Sequence, residues 1–359
     1  MYDKKTVVVG MSGGVDSSVA AYLLKEQGCN VIGLFMNNWE EEDEADSACT
    51  SASDWEDARA VCGKLGIPVY SVNFAAEYRE RVFEYFLKEY KSGRTPNPDV
   101  LCNREIKFGP FSEFAKRLGA DYIATGHYCD IRHFENGDVF LMEAADANKD
   151  QTYFLNQVRT EQLANVLFPL GGKVKSEVRA IAEREGLVTA DKKDSTGICF
   201  IGERNFKRFL AKYLPAQPGD IVDIHGKILG RHDGLMYYTL GQRRGLGIGG
   251  IKGEEQSRWF VVRKDLKNNR LIVKCGEGEE LMSGSLDTDG FNVIGQKPPE
   301  KVLSCKVKTR YRQSAQDATV EFTDSGAHIE FANSQRAVTP GQYAVAYVGR
   351  RCLGGGVIK

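Results

Sequence analysis

A chain of 359 residues, 42% hydrophobic and 27% charged, has the length of two or three domains and the composition of a globular protein. No apolar run approaches the ~20 residues that cross a bilayer. Met1 to Lys5 carry neither an apolar signal core nor an Arg- and Ser-rich transit pattern, so a cytoplasmic protein with no membrane partner is expected. The formal net charge of −1 does not by itself decide for or against a nucleic-acid partner, but its distribution is uneven. Nine acids and no Lys or Arg lie between Asn37 and Asp57, so the remainder carries +8; five bases and no acid lie from Lys301 to Gln313. That basic stretch either faces phosphates or is a solvated strand face.

Through about residue 130, strand and helix patterns alternate. Residues 6–9 are a short apolar strand. Residues 16–27 are a helix, with Val15, Val19, Tyr22 and Leu23 on one face and Gly28 as its stop. A strand follows at 31–36, a helix at 54–65 closed by Gly66, a strand at 67–74 and a longer helix at 75–91. Pro96 and Pro98 break the stretch 92–101 into a loop, 103–118 is helical again, and 122–125 is a strand. Repeated βαβ units predict a mostly parallel sheet covered on both faces, with ligands at the carboxyl ends of its strands.

The middle reads as helical at 150–158 and 175–185, polar at 192–202, and helical again at 206–213. After Pro215 and Pro218 the texture turns to short strands: a hairpin around His225 and Gly226, a second around Asn268 and Asn269, then strands at 302–307, 318–322, 327–331 and 343–348. A small, mainly β central domain followed by a β-barrel or sandwich is expected. The boundaries expected are 1–205, with a helical segment at about 150–187, then 206–280 and 281–359.

Nine cysteines are present, none in a C-x-x-C pair; the closest two, Cys49 and Cys62, are thirteen apart. That pattern predicts neither a zinc site nor an iron–sulfur cluster. Two cysteines have surroundings that set them apart. Cys102, in TPNPDVLCN (95–103), is expected where a rigid loop meets a helix whose N-terminus would favour the thiolate. Asp99 stands three residues earlier, placed to exchange protons with a substrate base or with this thiol. Cys199 lies in DSTGICF (194–200), reached by a polar, flexible approach.

GMSGGVDSS (10–18) connects the first strand to the first helix. A Ser-Gly-Gly turn there aims backbone N–H groups at an anion and backs them with the helix dipole. Gly13 and Gly14 permit close approach, Ser12, Ser17 and Ser18 add hydroxyls, and Asp16 either caps the helix or helps to hold Mg²⁺. The lysine of the common triphosphate-binding loop is missing. Such a loop suits a diphosphate that departs whole, which implies cleavage between the α- and β-phosphates of ATP.

Residues 12–17, SGGVDS, in their strand–helix setting resemble the loop of the N-type ATP pyrophosphatases, which adenylate a carbonyl oxygen and let a nucleophile displace AMP. With Met36, TPNPDVLCN, ATGHY (124–128), KDQTYFL (149–155), FPLG (168–171), DSTGICFIG (194–202) and YYTLGQRRGLGIGG (237–250) added, the chain resembles the tRNA-specific 2-thiouridylase family, which places sulfur on the wobble uridine. The resemblance runs in register through most of the chain. It implies an α/β fold: a parallel-sheet ATP-pyrophosphatase domain of the adenine nucleotide alpha hydrolase type, a small central domain and a C-terminal β-barrel.

The resemblance also implies roles. Gly10, Met11, Ser12, Gly13, Gly14, Val15, Asp16, Ser17, Met36 and Gly126 would bind ATP, with Mg²⁺ carried by its phosphates. Asn97, Pro98 and Asp99 would receive the target base. Cys199 would carry a persulfide and Cys102 would help release its sulfur, so that a Cys102–Cys199 disulfide forms. His127, Lys149, Asp150, Gln151, Arg310, Tyr311 and Gln342 would contact tRNA, the last three on shorter matching strings. A cysteine desulfurase or sulfur-relay protein would supply the sulfur. The acidic run 40–46 matches no motif of the family. Two other readings remain: a ligase or amidotransferase adenylating a small-molecule carbonyl, and a non-catalytic RNA-binding protein with a relic nucleotide loop.

Overall fold

Val7, Val8 and Val9 are β-branched and wholly buried, and such a strand requires partners on both edges and cover on both faces. The computed structural model, which describes residues 3–40, 51–194, 206–248, 258–296, 298 and 300–359, supplies both. Seven strands occupy the first half: β1 (Thr6–Met11), β2 (Asn30–Asn37), β3 (Val69–Asn73), β4 (Tyr122–Ala124), β5 (Asp130–His133), β6 (Val139–Met142) and β7 (Val166–Leu167). Five of them form a parallel sheet in the order β3-β2-β1-β4-β7.

One face of this sheet buries Val7, Val9 and Met11 against helix α1 (Val15–Glu26), helix α2 (Ser51–Leu65) and Val178 and Ile181 of a later helix. The other face buries Val8 and Leu34 against the helical stretch 75–117. That stretch comprises α3 (Ala75–Tyr78), a π turn (Arg79–Phe83), α4 (Glu84–Lys91), α5 (Pro98–Cys102), a second π turn (Asn103–Lys107) and α6 (Pro110–Arg117). Tyr343, Val345, Tyr347 and Cys352 from the far end of the chain belong to the same hydrophobic cluster as Val8.

The next region is less helical than its spacing predicts. Residues 150–158 contain only the 3-10 turn Thr152–Leu155, followed by one turn of helix, α7 (Thr160–Leu163), before α8 (Lys175–Arg184) and α9 (Phe206–Ala211). Tertiary packing decides here. Asn292 Nδ2 donates to the carbonyls of Asn156 and Val158, and Gln157 Nε2 donates to that of Gly355. The segment thus spends backbone acceptors on a neighbouring sheet rather than on an internal helix.

Strands β8 (Gly219–Asp223), β9 (Ile228–His232), β10 (Trp259–Asp265) and β11 (Arg270–Cys275) form a four-stranded sheet in the order β10-β11-β8-β9, with the two expected hairpins. Strands β12 (Met282–Val293), β13 (Val302–Lys308), β14 (Gln316–Thr323), β15 (Gly326–Arg336), β16 (Tyr343–Val348) and β17 (Arg351–Ile358) follow. They run β12-β15-β14-β13-β16-β17, and β17 pairs back with β12, closing a six-stranded barrel. The hairpin β5–β6 extends this sheet through β6–β17 pairing. Among the described residues no helix is long and apolar enough to cross a membrane.

Candidate active site

The turn between β1 and α1 is built around Gly13 and Gly14. Gly13 has φ +71°, and a Cβ there would lie 2.3 Å from the Asp54 carbonyl oxygen. A glycine at this left-handed position lets successive amides converge. The Ser17 hydroxyl accepts the Ser12 amide at 3.2 Å and donates to the Gly14 carbonyl at 3.0 Å, while Ser18 donates to the same carbonyl at 2.8 Å. The serines thereby stiffen the turn, and the first amides of α1 lack partners inside the helix. Gly10 packs against Phe111 and Thr125, and Gly126 lies so close that a Cβ would be 2.7 Å from the Ser17 nitrogen. Met11 and Val15 are buried; Met36, second to last in β2, is half-buried at the same carboxyl edge of the sheet.

Asp16 does not cap α1: the cap is Gly14, with no side-chain cap bond. Its carboxylate accepts the Tyr128 hydroxyl at 2.8 Å and the Lys175 ammonium at 2.7 and 2.9 Å. Lys175 also meets Asp194 at 2.7 Å, and Asp194 meets Lys149 at 2.7 Å and Arg179 at 3.0 Å. Partial burial works against ionisation of Asp194, but the Lys149 and Lys175 ammonium groups overcome it and hold the carboxyl down at about 2. On the other side of the turn, Lys192 pairs with Asp54 at 2.7 Å and with Asp57.

The stretch expected as a loop through Leu101 becomes helical at Pro98. Proline suits the first helical position because its missing N–H has no role there. Asn97 is the N-cap residue, with extended backbone, and Asp99 and Cys102 share a face of α5, three residues apart. Cys102 is therefore the fifth helical residue and only 1% exposed. The helix-terminus activation expected from sequence does not apply, because the chain continues from Cys102 into the π turn Asn103–Lys107. Burial pushes the Asp99 carboxyl up, with the Lys107 charge offsetting part of that rise. Cys199 lies outside the described residues, so its separation from Cys102 is not part of this geometry.

His127 is 8% exposed, its Nδ1 2.7 Å from the Thr125 hydroxyl and its ring 6.1 to 6.3 Å from those of Phe168 and Phe108. Burial, aided by the Lys107 charge, drives its imidazole well below the ordinary value, so it is neutral. Gln151 holds the next residue from both sides, its side-chain carbonyl accepting the Tyr128 amide at 2.8 Å and its own amide donating to the Tyr128 carbonyl at 2.7 Å. Asp150 is buried and accepts from the Ala144 amide and the Thr152 hydroxyl. Burial raises its carboxyl.

The C-terminal residues singled out by sequence reach toward the same region. Gln342 Nε2 donates to the Thr95 carbonyl at 2.8 Å, and the Thr95 amide donates to the Pro340 carbonyl at 2.9 Å. Arg310 donates to the carbonyls of Leu240 and Ala337 and to the Thr339 hydroxyl, tying the central sheet to the barrel. The Tyr311 ring packs 4.3 Å from that of Phe154. Sequence reasoning missed Tyr128 and Lys175 as partners of Asp16. Tyr128 was visible as the last letter of ATGHY, but Lys175 stands 159 residues from Asp16 and no local spacing connects them.

Comparison with known proteins places this geometry. Three family models match in succession: "tRNA methyl transferase HUP domain" over residues 5–203, "tRNA methyl transferase PRC-barrel domain" over 207–274 and "Aminomethyltransferase beta-barrel domain" over 283–358. Two proteins named tRNA-specific 2-thiouridylase MnmA, from Streptococcus pyogenes serotypes M2 and M4, are each 58% identical over 358 residues, covering 99% of this chain and 95% of theirs. A solved NMN synthetase from Francisella tularensis aligns over 58% of this chain and 73% of its own at 18% identity, with a TM-score of 0.35, too low to carry an argument. The near-complete overlap with the full-length relatives settles the kinship: the chain belongs to the tRNA-specific 2-thiouridylase family.

Proposed function

We propose that the chain is a tRNA-uridine 2-sulfurtransferase acting on the wobble uridine with ATP and a protein persulfide. The observation that carries the reading is one unit of structure. The glycine nest ends strand β1, and Val8 of that strand belongs to the same buried cluster as Val100, Leu101 and Cys102 of the helix bearing Asp99, in a chain 58% identical to relatives of that name. The domain division 1–205, 206–280 and 281–359 belongs to the same proposal.

ATP sits with its phosphates in the nest and its adenine near Met36. Among the described residues no group of three or more His, Cys, Asp or Glu could hold a metal. Mg²⁺ would arrive on the phosphates, with Asp16 as the nearby carboxylate, and would neutralise phosphate charge there. The uridine leaves its stack and enters beside Asn97, Pro98 and Asp99. Its C2 oxygen attacks the α-phosphorus, the bond from that phosphorus to the β-bridging oxygen breaks, and pyrophosphate leaves. The terminal sulfur of a Cys199 persulfide then displaces AMP from C2, and the Cys102 thiolate attacks the Cys199 sulfur to free the thiocarbonyl. Alternatively, Cys102 first releases hydrosulfide, which attacks C2. Both routes end in a Cys102–Cys199 disulfide, so turnover consumes a thiol reductant and a fresh sulfane sulfur from a cysteine desulfurase or relay protein.

Of the residues assigned to tRNA, His127, Asp150, Gln151, Arg310 and Gln342 each make side-chain hydrogen bonds within the protein. They support the RNA site by shaping it, while Asn97, Asp99, Lys149 and Tyr311 are partly exposed. The deciding experiment is mass spectrometry of nucleosides from unmodified tRNA incubated with protein, ATP, Mg²⁺ and a sulfide source. Sulfur on the wobble uridine that disappears without ATP supports the reading. Pyrophosphate release driven by a small acid rather than tRNA would favour the ligase. Cys102→Ser and Cys199→Ser should each abolish persulfide-dependent thiolation while sparing tRNA-dependent pyrophosphate release; normal 2-thiouridine from either variant would sink the two-cysteine scheme.

A further inference from the structure

The loop that receives phosphate contains no lysine, yet a lysine stands at its mouth. Lys175, the first residue of α8, places its ammonium 2.7 and 2.9 Å from the two carboxylate oxygens of Asp16, the second residue of α1. Its side chain is 13% exposed, so its charge is poorly screened by solvent. A second carboxylate, Asp194, meets the same ammonium at 2.7 Å, and the Tyr128 ring lies 5.6 Å away. Around these two carboxylates stand three cations, Lys149, Lys175 and Arg179. A third carboxylate, Asp146, accepts the Lys175 amide at 3.0 Å, so the cluster is balanced in charge, and it stands beside a nest of backbone amides that favours an anion.

We infer that Lys175 is the cation that meets the departing pyrophosphate of ATP, and that Asp194 is the positioning residue that holds it at the nest. The inference rests on the ATP reading above. An ammonium has three protons to donate. When phosphate enters, Lys175 exchanges its Asp16 contacts for phosphate oxygens and keeps Asp194. Asp16, still bonded to the Tyr128 hydroxyl, is then free to turn its carboxylate toward the metal-bearing phosphates. Lys149 and Arg179 keep Asp194 in place throughout, so one ion-pair exchange prepares both a cation and a carboxylate for the same ligand. The β- and γ-phosphates gain this contact; the adenosine and its α-phosphate do not.

Inorganic pyrophosphate with Mg²⁺ and AMP, titrated separately by calorimetry into the full-length protein, read the two halves of the site apart. Lys175→Ala should weaken pyrophosphate binding roughly 10- to 100-fold, as expected for loss of a charged hydrogen bond, and leave AMP affinity within about twofold. Lys175→Gln keeps hydrogen bonding without the charge and should show the same split, which carries the test if the alanine variant does not fold. Lys175→Arg should recover much of the pyrophosphate affinity. Equal loss of both ligands, or no loss of either, would overturn the assignment by making Lys175 a structural residue. A wild-type protein that binds neither ligand would instead overturn the ATP reading itself.

Discussion

His127 shows how one residue's surroundings decide its chemistry. Its ring sits in an aromatic pocket with one hydrogen-bond partner, Thr125, and the neighbouring Lys107 charge further opposes protonation. A histidine whose folded-state pKa is depressed stabilises the fold while the unfolded chain is also neutral. That contribution is lost as pH falls below the ordinary value of 6.5 toward the folded-state one. Denaturant unfolding at about pH 7.5 and about pH 5 should show a stability loss that His127→Gln diminishes, since glutamine cannot take up the proton. An unchanged pH slope in the variant would assign the loss to other groups. The same low pKa argues that His127 orients or shapes, rather than carries, a positive charge to RNA phosphate.

At the scale of elements, the turn after β1 depends on a neighbour that contributes no side chain. Gly126, just beyond β4, fits against the first turn of α1. Gly126→Ala would push a methyl group into the Ser17 amide and shift the nest. A misplacement of that size should cut tRNA-dependent pyrophosphate release by about 100-fold while leaving tRNA affinity intact; a fully active variant would show the contact to be slack. Both the nest and the alternation of the first four strands were legible in the sequence, because glycine spacing and apolar runs are local signals. The β5–β6 hairpin, the opening strand β12 and closing strand β17 of the barrel, and the non-helical 150–158 stretch were not. The hairpin joins β17, and the 150–158 stretch joins the barrel, across more than a hundred positions, and β12 pairs with β15 and β17 well beyond the range of local periodicity. Helix α5 was missed for a local reason: Pro98 was read as a breaker when its position made it a first helical residue.

Across the whole molecule, the loop proposed to receive the base is held from both C-terminal regions. Lys264 of β10 donates to the Gly93 carbonyl at 2.9 Å, Gln342 to that of Thr95, and Arg94 to that of Ile358. Burial lowers the Lys264 ammonium to about 8, so its charged clamp weakens within the mildly alkaline range. Arg310 fastens the central sheet to the barrel through three acceptors. Arg310→Met would strand those acceptors in a half-buried interface and should cost about 2–4 kcal/mol in chemical denaturation. It should also loosen the 92–97 loop, seen as faster amide exchange there. Stability unchanged within about 0.5 kcal/mol would show that the interface does not depend on it.

The pairing of β6 with β17 has a consequence for synthesis. Met142 is opposite Arg351, so the hairpin leaves the ribosome about 210 residues before its partner, an interval of roughly 10–40 s at ~5–20 residues per second. During that time the amino-terminal half carries an uncovered sheet edge, and Tyr343 and Tyr347 have yet to fill its core. The Thr95 loop also waits for residues 340–342. On the function proposed above, the turn that would bind phosphate can therefore form early in translation, while the pocket that would take the base is completed only with residues 340–359. A nascent chain halted before them would be equipped to hold nucleotide but not to position a uridine.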